Sequence, residues 1–128
     1  MSDNQLLPHV LLIENDIPTI ALYQRQLASR YKVFSCHDEY SALNHLTAKH
    51  IDLVILEPIS LGVDGWNLLT KINEATLAAP VPIIVCTTQD ACVRAKELGA
   101  ARCLVKPVLP ITLQHLLDEL IRDKTENN

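Results

Sequence analysis

Five side chains that could do chemistry stand where apolar runs of this chain end. They are Glu14 at the end of the first run with Asn15 directly after it, Glu57 at the end of the third, Thr87 at the end of the fourth and Lys106 at the end of the fifth. A carboxylate can attack an electrophile, ligate a hard divalent cation or hold a negative charge. An ammonium group can pair with such a negative charge. Each of these uses requires the five side chains to lie together, so the elements that carry them decide the chemistry.

Five short apolar runs alternate with segments of helical periodicity. The runs are residues 9–14, 31–36, 52–57, 82–87 and 102–106. The first, third and fourth are apolar on both faces, which is typical of a parallel sheet covered by helices on both sides. Five strand–helix units joined by short loops predict an α/β fold with a doubly wound sheet. Such sheets bind or react beyond the carboxyl ends of their strands, which is where the five side chains stand.

Capping and turn residues mark the helix boundaries. Asp16 with Pro18, then Asp64, and later Pro110 indicate helix starts, and Gly99 indicates the end of the fourth helix. Asp16 is interpreted as a helix N-cap in preference to a metal ligand, because the turn after the first strand should aim it away from the strand ends.

Composition and charge indicate a single domain. The chain has 128 residues, is 48% hydrophobic and carries a formal net charge of −4. We assign residues 9–122 to the domain, 1–8 to an N-terminal segment and 123–128 to a polar tail. The apolar runs are too short to span a bilayer and the start lacks the pattern of a signal peptide, so we expect a cytoplasmic protein with no membrane contact. Scattered Lys and Arg residues and 4% aromatics argue against direct nucleic-acid binding.

Four cysteines occur without a Cys-x-x-Cys pair, so neither a metal-site spacing nor a redox motif is present. Cys36, Cys86 and Cys103 lie in or beside apolar runs, whereas Cys92 follows the fourth run. We predict that the first three are small buried core residues. A redox switch at Cys103 is the alternative.

Four segments together resemble the receiver domain of two-component response regulators, the CheY-like family. They are LLIEND at 11–16, DLVILEPISLGVDG at 52–65, PIIVCT at 82–87 and GAARCLVKP at 99–107. The resemblance spans residues 9–121 and implies a flavodoxin-like (βα)5 fold with strand order 2-1-3-4-5. It leaves open whether the Lys106–Pro107 bond is cis, as in the family, or trans.

The resemblance also implies roles for individual residues. Glu57 stands at the phosphoacceptor position, Thr87 at that of the switch hydroxyl and Lys106 at that of the phosphoryl-contacting lysine. Cys103 stands where the family has a switch aromatic. The ligands for Mg²⁺ would be Glu14, Asn15, Glu57 and the backbone carbonyl of Ile59.

Several linked positions depart from the family pattern. Glu57 replaces an aspartate, and its additional methylene group moves the carboxylate outward. A displacement of about 1 Å can lower the rate of a reaction between positioned groups by a factor of about 10². Asn15 replaces an acidic metal ligand and brings no charge, while Ser60 and Leu61 replace a Met-Pro pair. We therefore expect Glu57 to pair with Lys106 and not to accept a phosphoryl group.

The expected function is that of an atypical, non-enzymatic receiver that acts through protein–protein contacts. The resemblance implies a histidine kinase, an output domain or another signalling protein as the partner, bound through the fourth helix, fifth strand and fifth helix, with a homodimer as a further option. The alternative is a working Mg²⁺-dependent phosphoacceptor that uses Glu57. The pair of Glu57 with Lys106 could fix one signalling state or be only a structural ion pair.

Two other functional classes fit the sequence poorly. A flavodoxin-like cofactor binder needs a phosphate loop rich in Gly, Ser or Thr, but the chain has three glycines and an acidic first turn. A hydrolase needs a nucleophile beside a base, and at the ends of the first, third, fourth and fifth runs no Ser or Cys stands next to a histidine.

Overall fold

The computed structural model describes residues 7–59 and 65–126. Within these ranges the strands are β1 His9–Ile13, β2 Lys32–Cys36, β3 Leu53–Leu56, β4 Ile83–Thr87 and β5 Arg102–Val105. The helices are α1 Ile17–Leu27, α2 Glu39–Ala48, α3 Gly65–Ala75, α4 Ala91–Glu97 and α5 Pro110–Glu126. Each strand lies within its predicted run and differs from it by at most one residue at either end.

The five strands form one parallel sheet in the order β2-β1-β3-β4-β5, which confirms the predicted topology. Side chains of successive residues in β1 point to opposite faces. Leu11 and Ile13 pack with α2, α3 and α4, whereas Val10 and Leu12 pack with α1 and α5. Both faces are therefore covered by helices, which explains why the central strands are apolar throughout.

Local signals fix two of the helix ends that position the strand tips. The carboxylate of Asp16 accepts a hydrogen bond from the backbone N–H of Thr19 at 3.1 Å, so the N-cap interpretation is confirmed. Gly99 follows α4 with a φ of +102°, a left-handed conformation that favours glycine. The predicted helix start at Asp64 lies outside the described residues.

Helix α5 begins at Pro110, as predicted, and continues to Glu126. Residues 123–126, assigned from sequence to the polar tail, therefore extend the helix. The ammonium group of Lys124 donates to the backbone carbonyl of Asp52 at 3.3 Å and lies 3.8 Å from its carboxylate, which ties this last turn to the sheet. Over residues 7–59 and 65–126, no helix combines the length and apolar character needed to cross a membrane.

The cysteines divide into a buried pair and a disulfide. Cys36 and Cys86 are buried, as predicted. Both are free thiols, and burial raises the pKa of each to about 12. Cys103 is only partly buried and forms a disulfide with Cys92, so the prediction that it is a small buried core residue was wrong. The pairing joins α4 to β5 across eleven positions of sequence, a spacing that no Cys-x-x-Cys search detects.

Candidate functional site

The carboxyl ends of β1, β3, β4 and β5 place four of the predicted side chains at one edge of the sheet. Backbone hydrogen bonds between neighbouring strands continue just past the strand ends and fix the positions of these residues. The N–H of Glu57 donates to the carbonyl of Ile13 at 3.1 Å, and the N–H of Lys106 donates to the carbonyl of Thr87 at 2.8 Å. Glu14, Glu57 and Thr87 are all buried polar residues at this edge.

The ammonium group of Lys106 bridges two carboxylates. Its Nζ lies 3.0 Å from Oε1 of Glu14 and 3.0 Å from Oε1 of Glu57. The side chains are 2% exposed for Glu14, 7% for Glu57 and 30% for Lys106, so the bridge is largely shielded from water. The predicted pairing of Lys106 with Glu57 is confirmed, and Glu14 is a second partner that the sequence did not indicate.

Two opposing effects act on the pKa of Lys106. Burial lowers the pKa, while hydrogen bonds to Glu57 and then Glu14 raise it, and the net result is a pKa above the ordinary lysine value. The lysine is therefore charged at neutral pH. With both glutamates ionised, the three side chains carry one net negative charge.

The remaining carboxylate oxygens are held by backbone N–H groups. Oε2 of Glu57 accepts from Ile59 at 2.8 Å. Oε2 of Glu14 accepts from Asn15 at 2.9 Å and from Asp16 at 3.0 Å. Each of the four oxygens thus has a donor, and both carboxylates have defined orientations.

Asp16 is directed to the first turn of α1 and not to this bridge. Its carboxylate accepts from both the hydroxyl and the backbone N–H of Thr19, and these hydrogen bonds, led by the hydroxyl, lower its pKa. Asp16 and Asn15 are both exposed. The prediction that the turn after the first strand aims Asp16 away from the strand ends is therefore confirmed.

Thr87 contributes a buried hydroxyl beside this network. The residue is fully buried, and its Oγ1 has no hydrogen-bond partner among the described residues. A buried hydroxyl without a partner loses its hydration and gains nothing in return, so such groups are rare outside functional or strained positions. Thr87 therefore has spare hydrogen-bonding capacity at the edge of the sheet.

The loop after Glu57 is held by a close backbone contact with α3. Pro58 is buried, and a Cβ atom added to Gly65 would lie 1.8 Å from the carbonyl oxygen of Pro58. Only glycine allows the helix to start this close to the loop. Ser60 and Leu61, two positions that depart from the family pattern, lie outside the described residues.

This donor set is a poor fit for Mg²⁺. The ion prefers hard oxygen ligands in near-octahedral geometry. Here both carboxylates are bound to Lys106, and Asn15 supplies a neutral amide at the position where the resemblance implies an acidic ligand. Within residues 7–59 and 65–126, no three His, Cys, Asp or Glu side chains are grouped to hold a metal ion.

Comparisons with known proteins bear on the family. The family model described as the response regulator receiver domain matches residues 10–118. Two-component response regulator-like PRR73 of Oryza sativa subsp. indica is 31% identical, with 88% of this chain and 16% of that protein aligned. Two-component response regulator-like APRR5 of Arabidopsis thaliana is 32% identical, with 91% of this chain and 22% of that protein aligned.

A solved structure shares the fold. The receiver domain protein (CheY-like) of Methanospirillum hungatei JF-1 superposes with a TM-score of 0.82 at 20% identity, over 95% of this chain and 99% of that one. The two curated plant relatives are much longer than this chain, which spans only 16% and 22% of their lengths.

Proposed function

This chain belongs to the response regulator receiver domain family, and on that premise we propose that it is an atypical receiver that is not phosphorylated. It transmits a signal through protein–protein contacts and catalyses no reaction of its own. The proposal includes a cytoplasmic location, where a receiver of a two-component system meets its kinase.

The engagement of the Glu57 carboxylate carries this proposal. A carboxylate that attacks a phosphoryl group needs an oxygen lone pair in line with the donor, and each hydrogen bond that the oxygen accepts lowers its nucleophilicity. One oxygen of Glu57 is bound to the ammonium group of Lys106 and the other to the N–H of Ile59. The longer glutamate side chain thus reaches the lysine directly, without a phosphoryl group between them.

The burial of Glu14 and Glu57 favours the interpretation that their bridge with Lys106 fixes one signalling state over the interpretation that it is only a structural ion pair. Exposed ion pairs contribute about 0–1 kcal/mol, so an exposed pair would have little influence on conformation. The side chain of Glu57 is only 7% exposed, and it shares Lys106 with that of Glu14, which is 2% exposed. We propose that this three-residue bridge holds β5 in one position relative to β1 and β3, and thereby fixes one state of the domain.

The proposed contact surface comprises α4, β5 and α5. Large apolar side chains are exposed on these elements and on the turn before α5, namely Val93, Val105, Leu109 and Ile111. The partner is a histidine kinase, an output domain or another signalling protein, and a second copy of the chain is a further option. The plant relatives carry their matching segment within a longer protein, which supports a receiver that controls another domain.

The second candidate function is a Mg²⁺-dependent phosphoacceptor that uses Glu57. The observation that favours it is the unpartnered hydroxyl of Thr87, which could donate to a phosphoryl oxygen. Against it stand the replacement of an acidic ligand by Asn15 and the binding of both glutamates to Lys106.

Incubation with acetyl phosphate and Mg²⁺, followed by intact-mass measurement, separates the two functions. We expect no phosphoryl adduct on the wild-type protein. The Glu57→Asp variant is the matched control, because it restores the shorter carboxylate of the family. An adduct on the wild-type protein that disappears in Glu57→Gln would establish the phosphoacceptor function and reject the first proposal.

A further inference from the structure

A disulfide crosses the proposed contact surface. Cys92 lies in the first turn of α4 and Cys103 lies in β5, with their Cα atoms 5.7 Å apart. This separation is within the usual range for disulfides, and both residues are only partly buried, so a small thiol can reach them. We propose that Cys92–Cys103 is a reversible thiol–disulfide exchange site for low-molecular-weight thiols, and that its oxidation state controls whether α4 is fixed to β5.

Helix α4 needs such an anchor because it is short. It has seven residues, whereas isolated helices below about 12–15 residues are marginal in water. Asp90 at its N-cap makes no side-chain capping hydrogen bond, and Ala95 is its buried residue. The stability of α4 must therefore come from tertiary contacts, and the disulfide is a covalent one located at the end that lacks a cap.

Two other features that position α4 lie further along the helix. The guanidinium group of Arg94 lies over the ring of Trp66, 4.8 Å from its centroid, and Gly99 ends the helix in a left-handed turn. These contacts hold the middle and the end of α4. Reduction of the disulfide therefore releases the first turn of the helix selectively.

The remaining cysteines are protected from exchange. Cys36 and Cys86 are 7% and 1% exposed, and burial raises the pKa of each thiol to about 12, so little thiolate forms at neutral pH. Since the thiolate is the reactive form, thiol chemistry on the folded protein is directed to the Cys92–Cys103 pair.

The exchange balances with two equivalents of a low-molecular-weight thiol, RSH. One thiolate attacks either sulfur of the disulfide, the S–S bond breaks, and the other cysteine leaves as a thiolate and takes a proton. A second thiolate attacks the mixed disulfide, releases the second cysteine as a thiol and forms RSSR. Two electrons thus pass from two RSH to the disulfide, and RSSR reverses the reaction. In reducing compartments, disulfides are typically transient or redox-sensing, which matches this use.

The site lies near the glutamate–lysine bridge but does not depend on it. Cys103 pairs in register with Val85, two positions before the pairing of Thr87 with Val105, and Lys106 follows directly. Release of α4 leaves the contacts of Lys106 with both glutamates in place. The inference therefore goes beyond the proposed function and holds whether or not Glu57 accepts a phosphoryl group.

Hydrogen exchange on the full chain tests the inference. The protein is equilibrated at neutral pH without denaturant in glutathione buffers of increasing reduced-to-oxidised ratio, alkylated to count free thiols, and measured peptide by peptide. We expect two additional alkylated cysteines on reduction and faster exchange in α4. The chain-entropy model for cysteines eleven positions apart sets a ceiling of roughly a hundredfold on this acceleration. Peptides of α1 serve as the internal control and should not change.

A variant without the disulfide separates loss of the bond from unfolding. Cys92→Ala combined with Cys103→Ala should show fast α4 exchange in every buffer, with the exchange of α1 as in the wild type. The proposal is overturned if α4 exchanges at the same rate in the oxidised and reduced protein. It is also overturned if glutathione does not reduce the folded protein, or if Cys36 and Cys86 are alkylated together with the pair.

Discussion

Replacing Lys106 with methionine keeps most of the length of the side chain and removes the charge that Glu14 and Glu57 share. Both carboxylates lie 3.0 Å from Nζ and are almost fully buried, so the variant leaves two negative charges facing each other with no counterion. Breaking a buried ion pair by removing one partner costs about 3–5 kcal/mol. Lys106 itself is 30% exposed, so we expect the lower end of this range, a loss of about 3 kcal/mol in the free energy of unfolding.

Urea unfolding followed by circular dichroism measures this loss. Lys71→Met is the matched control, because Lys71 pairs with Glu39 at 2.7 Å but the two side chains are 41% and 34% exposed. That pair is near the surface, and its loss should cost less than about 1 kcal/mol. Adding Glu57→Gln to Lys106→Met should recover part of the stability, since one of the uncompensated charges is then absent. A Lys106→Met variant that is no less stable than the Lys71→Met control would refute the reasoning.

Three further predictions concern the elements around the bridge. Asp16→Ala removes the N-cap of α1 and should lower the free energy of unfolding by about 1 kcal/mol in urea titrations, and an unchanged midpoint would reject the capping role. Gly99→Ala places a Cβ 2.5 Å from Nδ2 of Asn73 at a φ of +102°, and should cost about 1–3 kcal/mol by the same assay; a neutral result would mean that the turn after α4 relaxes freely. Burial lowers the pKa of Lys106, but hydrogen bonds to Glu57 and Glu14 raise it, and the net result is a pKa above 10.5. The stability that the bridge contributes is therefore fully present below pH 10.5 and is lost as the pH rises through the folded-state pKa. Unfolding measured from pH 8 to 11 should show a shallower alkaline loss in Lys106→Met than in the wild type.

The strands were predictable because the residues that are locally apolar are the same residues that the folded sheet buries. Each apolar run is bounded by a polar or turn residue, and the sheet buries the run as a unit, so the boundaries agree to within one residue. Capping at Asp16 was predictable for the same reason, since an acid followed by Pro18 favours a helix start whatever the rest of the fold does. The hydrophobic periodicity does not determine the order of the strands in the sheet. That order was predicted from the resemblance to the receiver-domain family.

Side-chain contacts between distant segments were harder to predict. Glu14 was considered as a metal ligand, but its pairing with Lys106 depends on how far the lysine reaches across the strand ends, which sequence spacing does not encode. The bond between Cys92 and Cys103 likewise depends on the fold, because the return of α4 over the sheet brings its first turn next to β5. In both cases the residue type indicated that a contact could form, but the sequence did not identify the partner.

Amide NMR of the isolated chain during addition of Mg²⁺ and then beryllofluoride, which mimics a phosphoryl group on a carboxylate, tests the central claim most directly. We predict that the signals of Glu14, Glu57, Thr87 and Lys106 do not shift in the wild type, because Glu57 is already paired with Lys106. In Glu57→Asp, the shorter carboxylate frees room for the analogue, and a response there would attribute the silence of the wild type to one methylene group. Saturable shifts of these four signals in the wild-type protein would contradict the claim and identify Glu57 as a phosphoryl acceptor.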